Sequence, residues 1–338
     1  MNFLQNLFSI KQEDKDYSTI KTISLLGMKF QFKSLNEAKL INTLENLAKQ
    51  NKTNNTFLNI LLKPSQFPKA NGKLRERQLK MFEVMKIVDK IAKENNLQYW
   101  LSEGSLLGAV RHGGFIPWDD DADICMLRDD YLKIIPLLKK YFENSDTKVR
   151  EYYKCKNGRW NYQACICNKE SLNSWQTGGA KKDWSLDIFP FDKYYKSEID
   201  DSEKDEITKK IKYATSLLQE KCTKDEKFAI DIEKVRKHII ELRDKIILNN
   251  NEQKNENMAI FTGIDFGFIC PKRFLFSYDC IFPTSKIEFE GYEFSCPNNL
   301  DKYLTNAYGG DYMSLPSGMT YEQTQNCVNY LNFDDIKK

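Results

Sequence analysis

Trp100-Leu-Ser-Glu-Gly-Ser-Leu-Leu-Gly-Ala-Val-Arg-His-Gly-Gly-Phe-Ile-Pro-Trp-Asp-Asp-Asp-Ala-Asp-Ile124 decides the fold, because it joins a small-residue turn, Gly104-Ser105, to the carboxylates Asp119, Asp120, Asp121 and Asp123. Carboxylates packed this closely repel one another, and only full solvation or bound cations relieve the repulsion. The flanks Phe115-Ile-Pro-Trp118 and Ile124-Cys-Met-Leu127 require burial, which argues for cations. Read as the start of a strand, Asp121 and Asp123 share one face while Ala122 and Ile124 take the other. Two converging hard-oxygen ligands suit Mg²⁺ or Mn²⁺ carrying substrate phosphates. Upstream, Gly104-Ser105 precedes Leu106-Leu-Gly-Ala-Val110, which can open a helix whose free N–H groups receive a phosphate.

Working outward, Leu74 to Asn95 carries a helical pattern in Leu79, Phe82, Met85, Ile87, Val88 and Ile91, and Leu97–Leu101 is a short strand delivering the Gly-Ser turn. With a helix at about 129–142, this order predicts an α/β (α+β) fold, a mixed sheet flanked by helices. Strands are expected around 148–155 and 161–167, then along Trp184-Ser-Leu-Asp-Ile-Phe-Pro-Phe-Asp192. There Asp187 stands between Leu186 and Ile188. A carboxylate in a buried strand is costly unless paired or metal-bound, so Asp187 is the expected third ligand. Asp192, just past Pro190, reads as a turn residue.

Four segments follow. Residues 1–72 form an N-terminal appendage ending in the breaker-rich linker Lys63–Gly72. Within it Phe3, Leu4, Leu7 and Phe8 share one helical face, Ile20–Phe32 reads as two strands turning near Gly27, and 36–62 reads as a helix. The apolar face of residues 1–10 either packs on its own domain or a partner subunit, or lies peripherally on a membrane surface. Residues 73–200 form the core, and 201–257 a Lys/Glu-rich helical insertion broken near Thr223–Glu226 and closed by the polar loop Asn249–Asn257. Residues 258–338 complete the domain with a hairpin over Ile287–Phe294 and a short helix over Leu300–Tyr308.

The 51 basic and 48 acidic residues leave a net charge of +3, so no basic face supports nucleic-acid binding. No apolar run reaches the ~18 residues of a membrane span. Nine scattered cysteines with no secretory signal lead to an expectation of reduced thiols and a cytoplasmic location, at most peripheral at the inner face of the cytoplasmic membrane. Cys165-x-Cys167 could begin a soft-metal site, but His112 and His238 are the sole histidines, which favours structural thiols.

A Gly-Ser turn, a gap and Asp-x-Asp on a strand is the layout of the nucleotidyltransferase superfamily. Over roughly residues 75–320 the chain resembles the LicD family, phosphocholine transferase-like proteins related to fukutin and fukutin-related protein. The resemblance rests on Glu103–Tyr131, on Leu186-Asp-Ile-Phe-Pro-Phe-Asp192, and on Phe289–Pro297 with Tyr303–Pro316. It implies a nucleotidyltransferase-like fold, Mg²⁺ or Mn²⁺ as two ions, and a CDP-activated alcohol, choline foremost, as donor to a glycan acceptor. The family's metal carboxylates fall on Asp121 and Asp123, with Asp119 close by, and on Asp187. Gly104 and Ser105 would hold the diphosphate, and Arg111, His112 and Arg128 could reach phosphate oxygens. For Arg111 an ion pair with the Asp cluster is the alternative, and for His112 a structural hydrogen bond. Trp118 and Tyr308 could cage a quaternary ammonium, but fit core positions better. Nucleotidyl transfer releasing pyrophosphate, and a scaffold pseudoenzyme, are the competing functions.

Overall fold

The computed structural model describes residues 8–15, 18–25, 28–32, 69–154, 158–169, 184–194, 200–248, 259–265 and 271–314. The chain divides into two compact units, Met1–Phe67 with Ser314–Lys338, and Pro68–Met313. The first boundary falls inside the expected linker.

In the first unit, β1 (Phe8–Lys15), β2 (Ser18–Leu25) and β3 (Met28–Phe32) form an antiparallel meander. The two strands expected over Ile20–Phe32 are present. The helix expected over Met1–Ile10 is contradicted from Phe8 onward. Phe8-Ser-Ile-Lys11 alternates with period two, and β2 supplies a partner in register from Phe8↔Leu25 to Lys15↔Ser18. Residues 1–7, the helix expected at 36–62 and the loop expected at 249–257 lie outside the described residues.

The second unit is built on a seven-stranded mixed sheet. Its centre is β10 (Ser185–Tyr194), which pairs in parallel with β5 (Asp121–Leu127) along one edge. On the other edge its first half meets β9 (Ala164–Asn168) and its second half β11 (Ala259–Thr262), both antiparallel. β4 (Tyr99–Leu101), β6 (Thr147–Arg150) and β12 (Leu275–Ser277) extend the sheet. A parallel pair needs a long crossover, and α3 (Arg128–Tyr141) with β6, the short pair β7 (Tyr153–Lys154) and β8 (Trp160–Asn161), and β9 supplies it. β11 and β12 had no clear signal in the sequence, being short apolar runs without alternation.

Two apolar cores flank this sheet. In the larger, α1 (Gly72–Glu94) buries Met81, Val84, Met85, Val88, Ile91 and Ala92, a stripe that leaves Leu79 exposed, against Ala122, Ile124, Leu186 and Ile188. Asp89 on the same helix accepts from Tyr99 Oη at 2.6 Å, Tyr292 Oη at 2.7 Å and Lys93 Nζ at 2.7 Å. It thereby ties α1, β4 and the hairpin β13 (Ser285–Phe289)–β14 (Tyr292–Cys296) together. The hairpin turn is two residues, Glu290 and Gly291, both at positive φ (53° and 79°), which matches the right-handed twist of the strands.

The second core belongs to the helices after β10. α4 (Asp201–Lys224) opens with a reciprocal cap, Asp200 accepting from the Glu203 N–H and Glu203 from the Asp200 N–H. It breaks where expected, before α5 (Glu226–Ala229), and α6 (Ile232–Leu242) follows. Ile207, Ile211, Ala214 and Leu218 of α4 pack with Val235 and Ile239 against Trp160, Tyr162, Phe261 and Leu275. The charged outer faces are solvated as the composition indicated, but the helices share a core with the sheet. Among the described residues no helix is long and apolar enough to cross a membrane.

Candidate active site

The site forms where the first turn of α2 (Glu103–His112) meets the start of β5. The Ser102 N–H donates to the Asp123 carbonyl at 3.2 Å, and the Asp123 N–H donates to Ser105 Oγ at 2.8 Å. The helix is thus stitched to the strand at Asp123. Gly104-Ser105 lies inside the first helical turn and not before it, because Ser102 is already the N-cap and the Leu106 N–H already bonds the Ser102 carbonyl. Glu103 has φ of +43°, a strained conformation for a residue with a Cβ. Beside it, a Cβ added to Gly104 would stand 2.4 Å from Asp119 Oδ2, so glycine is what lets that carboxylate seat on the helix N-terminus.

Strand register assembles the rest. Asp121 and Asp123 are two apart on β5, and the parallel ladder sets Asp187 directly beside Asp123. Ala122, Leu186 and Ile188 face the core instead, as the alternation predicts. Burial first, then the charges of Asp121, Glu103, Asp187 and Asp119, push the Asp123 carboxyl up. Burial, and then the charge and hydrogen bond of Asp121, do the same at Asp119. Glu103 rises to about 8, mainly through burial, with Tyr308 and Arg273 opposing. Ligand oxygens of Asp119, Asp120 and Asp121 lie within 4.8 Å of one another.

These observations test the fit of a divalent cation. The donors are hard carboxylate oxygens, and three of the carboxyls are biased toward protonation by burial and mutual repulsion that a cation would relieve. The donor set is of the kind that Mg²⁺ or Mn²⁺ takes, and the carboxylates whose oxygens converge closely enough to share one ion are Asp119, Asp120 and Asp121, with Asp123 and Asp187 on the adjoining strands.

Sequence reasoning missed Glu103, although it directly precedes the Gly-Ser pair. Tyr308, at the end of α7 (Leu300–Tyr308), belongs to the site: its hydroxyl donates to Glu103 Oε2 at 3.4 Å, and burial followed by the charge of Glu103 pushes it up. Tyr303 on the same helix anchors it, with its ring stacked 4.1 Å from that of Phe276 and its hydroxyl 2.7 Å from Ser102 Oγ. Trp118 is half-buried, 6.0 Å from the His112 ring and 6.0 Å from the Arg111 guanidinium.

The three expected phosphate ligands differ in placement. Arg111 and His112 sit in the last turn of α2, roughly 12–14 Å along its axis from Glu103. Arg111 donates to His112 Nε2 at 3.1 Å and to the Tyr312 carbonyl at 3.3 Å. Arg128 follows the far end of β5, about 20 Å of strand beyond Asp121. Its guanidinium donates to Asp192 at 2.6 and 2.6 Å and to Asp265 at 3.1 and 2.6 Å, all three side chains buried. The phosphate role expected of Arg128 is corrected to a buried ion-pair network, because two carboxylates occupy its fork. Asp192 is corrected likewise: it is a strand residue of β10, bound by Arg128 and by Arg243 at 2.9 Å.

Comparison with known proteins bears on this constellation. Residues 96–229 match the family described as LicD/FKTN/FKRP, nucleotidyltransferase domain. An uncharacterized protein of Rickettsia prowazekii is 36% identical over 83 residues, 24% of this chain and 31% of that one, so the chain spans under a third of its length. The lipopolysaccharide cholinephosphotransferase LicD of Haemophilus influenzae is 24% identical over 255 residues, 72% of this chain and 92% of the relative. Human ribitol 5-phosphate transferase FKRP is 44% identical over 48 residues, 14% of this chain and 10% of that protein.

Proposed function

Because residues 96–229 match the LicD/FKTN/FKRP nucleotidyltransferase-domain family, we propose that this chain is a transferase that moves an alcohol phosphate from a CDP-activated donor to a hydroxyl of a cell-surface glycan. The observation that carries the reading is the in-register pairing of Asp187 with Asp123 on parallel strands, beside Asp119 and Asp121. Phosphoryl transfer depends on positioning and charge neutralisation more than on covalent catalysis by the protein. Mg²⁺ or Mn²⁺, bound as two ions, would supply neutralisation of phosphate charge and acidification of the acceptor hydroxyl.

The chain's own residues do the remainder. Asp119, Asp121 and Asp123 would hold the cations, and the first N–H groups of α2 at Glu103, Gly104 and Ser105 would face the donor phosphates. Asp187 takes the proton of the acceptor hydroxyl as its oxygen bonds to the distal phosphorus. The bond from that phosphorus to the bridging oxygen breaks, CMP leaves, and a phosphodiester remains. Phosphocholine is the favoured group, since the Haemophilus cholinephosphotransferase aligns over most of both chains. Phosphoethanolamine, ribitol phosphate or glycerol phosphate is the alternative cargo. The acceptor would be a lipopolysaccharide, capsule or teichoic acid precursor, met in the cytoplasm or at the inner face of the cytoplasmic membrane.

The test incubates the protein and Mn²⁺ with a defined glycan and, in turn, CDP-choline, CDP-ethanolamine, CDP-ribitol and CDP-glycerol, with products identified by mass spectrometry. CMP and a glycan heavier by one alcohol phosphate are expected from one donor. Pyrophosphate released from a nucleoside triphosphate would point to nucleotidyl transfer instead. Inertness toward every donor and triphosphate, in protein that binds no Mn²⁺, would favour a scaffold.

A further inference from the structure

Ser185 opens β10 two residues before Asp187, so the two side chains share a face of the sheet while Leu186, fully buried, takes the other. The ladders fix its neighbours on that face. Ser185 pairs with Asp121 of β5 on one side and Cys167 of β9 on the other, just as Asp187 pairs with Asp123 and Cys165. Ser185 is 3% exposed, and among the described residues its Oγ has no hydrogen-bond partner. Alanine would fill this position without that cost, because an unpaired buried hydroxyl loses its hydration and gains nothing in return.

We propose that Ser185 is a phosphate-binding residue, its hydroxyl donating to a non-bridging phosphoryl oxygen of the donor's diphosphate. The inference rests on the proposed function, since only cation-bound carboxylates would admit a phosphate this close to Asp121. A hydroxyl beside carboxylates has a proton to give, and a phosphoryl oxygen accepts it with the strength of a charge-assisted bond. Among the described residues, the strand neighbours of Ser185 and Asp187 on the β9 side carry no carboxylate. They are Cys167 and Cys165, and Arg150 of β6 pairs in turn with Cys165. The sheet face therefore runs from the carboxylates of β5, across a hydroxyl and two cysteines, to an arginine. With cations held by those carboxylates, an anion over Ser185 would lie between them and Arg150.

The test compares wild type, Ser185→Ala and Ser185→Thr by calorimetric titration with Mn²⁺ alone, then with pyrophosphate in saturating Mn²⁺, and by thermal unfolding without ligands. Ser185→Ala should bind pyrophosphate about tenfold more weakly, the loss of one charge-assisted hydrogen bond. Its Mn²⁺ affinity should stay within about twofold, its ligand-free thermal midpoint should equal or exceed that of wild type, and Ser185→Thr should recover most of the binding. Unchanged pyrophosphate affinity in Ser185→Ala overturns the inference alone. So does a parallel loss of Mn²⁺ affinity, which would make Ser185 a cation ligand, or a lowered midpoint, which would make it structural. A wild-type protein that binds neither Mn²⁺ nor pyrophosphate overturns the proposed function together with this inference.

Discussion

Replacing Arg128 with methionine should cost the second unit about 4 kcal/mol of stability and leave phosphate binding by the folded protein intact. In the structure the guanidinium makes four hydrogen bonds, two to Asp192 and two to Asp265. The three side chains are 5%, 2% and 3% exposed, so the pairs are screened little by water. Without Arg128, Asp192 keeps the bond from Arg243, but Asp265 loses both of these ion-pair bonds and is left a buried charge. Breaking a buried pair from one side costs about 3–5 kcal/mol. For a unit of this size the loss lowers the thermal midpoint by about 8–16 °C. Urea and thermal unfolding in chelator would measure it, alongside pyrophosphate binding in Mn²⁺. Adding Asp265→Asn should restore roughly 1–2 kcal/mol by removing the orphaned charge. An Arg128→Met protein with an unchanged midpoint and no pyrophosphate binding would refute the structural assignment and return Arg128 to the phosphate.

Asp121→Asn or Asp123→Asn should abolish transfer while leaving the metal-free protein at least as stable, since one repelling charge is removed; full turnover at saturating Mn²⁺ would contradict this. Asp187→Ala should lose about 10²-fold or more in turnover with little change in donor affinity, whereas Asp192→Ala should show its defect in unfolding curves. Gly104→Ala puts a methyl 2.4 Å from Asp119 Oδ2, so Mn²⁺ titration should show roughly tenfold weaker binding on an intact fold. Burial pushes the Glu290 carboxyl up, but Arg75 and Lys69 outweigh it and hold it at about 2 against an ordinary 4.5. Its stabilisation is therefore complete above about pH 4.5 and lost as pH falls toward 2, and Glu290→Gln should flatten that acid limb by about 2 kcal/mol once the exposure of Lys69 is allowed for.

The carboxylate site was legible wherever local pattern alone determines geometry. Asp121 and Asp123 announce a shared face by their spacing, and Asp187 stands out as a charge in an apolar strand. Glu103 was not legible, because its role depends on a left-handed backbone that nothing in a glutamate's identity signals. Arg128 was misassigned for the opposite reason: an arginine after an acidic strand suggests phosphate, and its real partners lie 64 and 137 residues away in sequence. The helix expected at residues 1–10 gives way from Phe8 onward, where Phe8 and Ile10 alternate and β2 offers a pairing partner. Central strands such as β11 escaped notice because four buried residues of Ala-Ile-Phe-Thr offer no period at all.

The parallel pairing of β5 with β10 makes the assembly of the site a matter of parity. Adding or deleting one residue before Asp187 inside β10 would turn its side chain to the opposite face, among Ala122, Ile124 and Leu138 in the core. Two residues would restore the face but shift the carboxylate about 6–7 Å along the strand, away from Asp123. There is no graded intermediate between these outcomes. Divergence at this centre is thus confined to exchanging side chains at fixed count, while changes of length are left to the segments that join the strands.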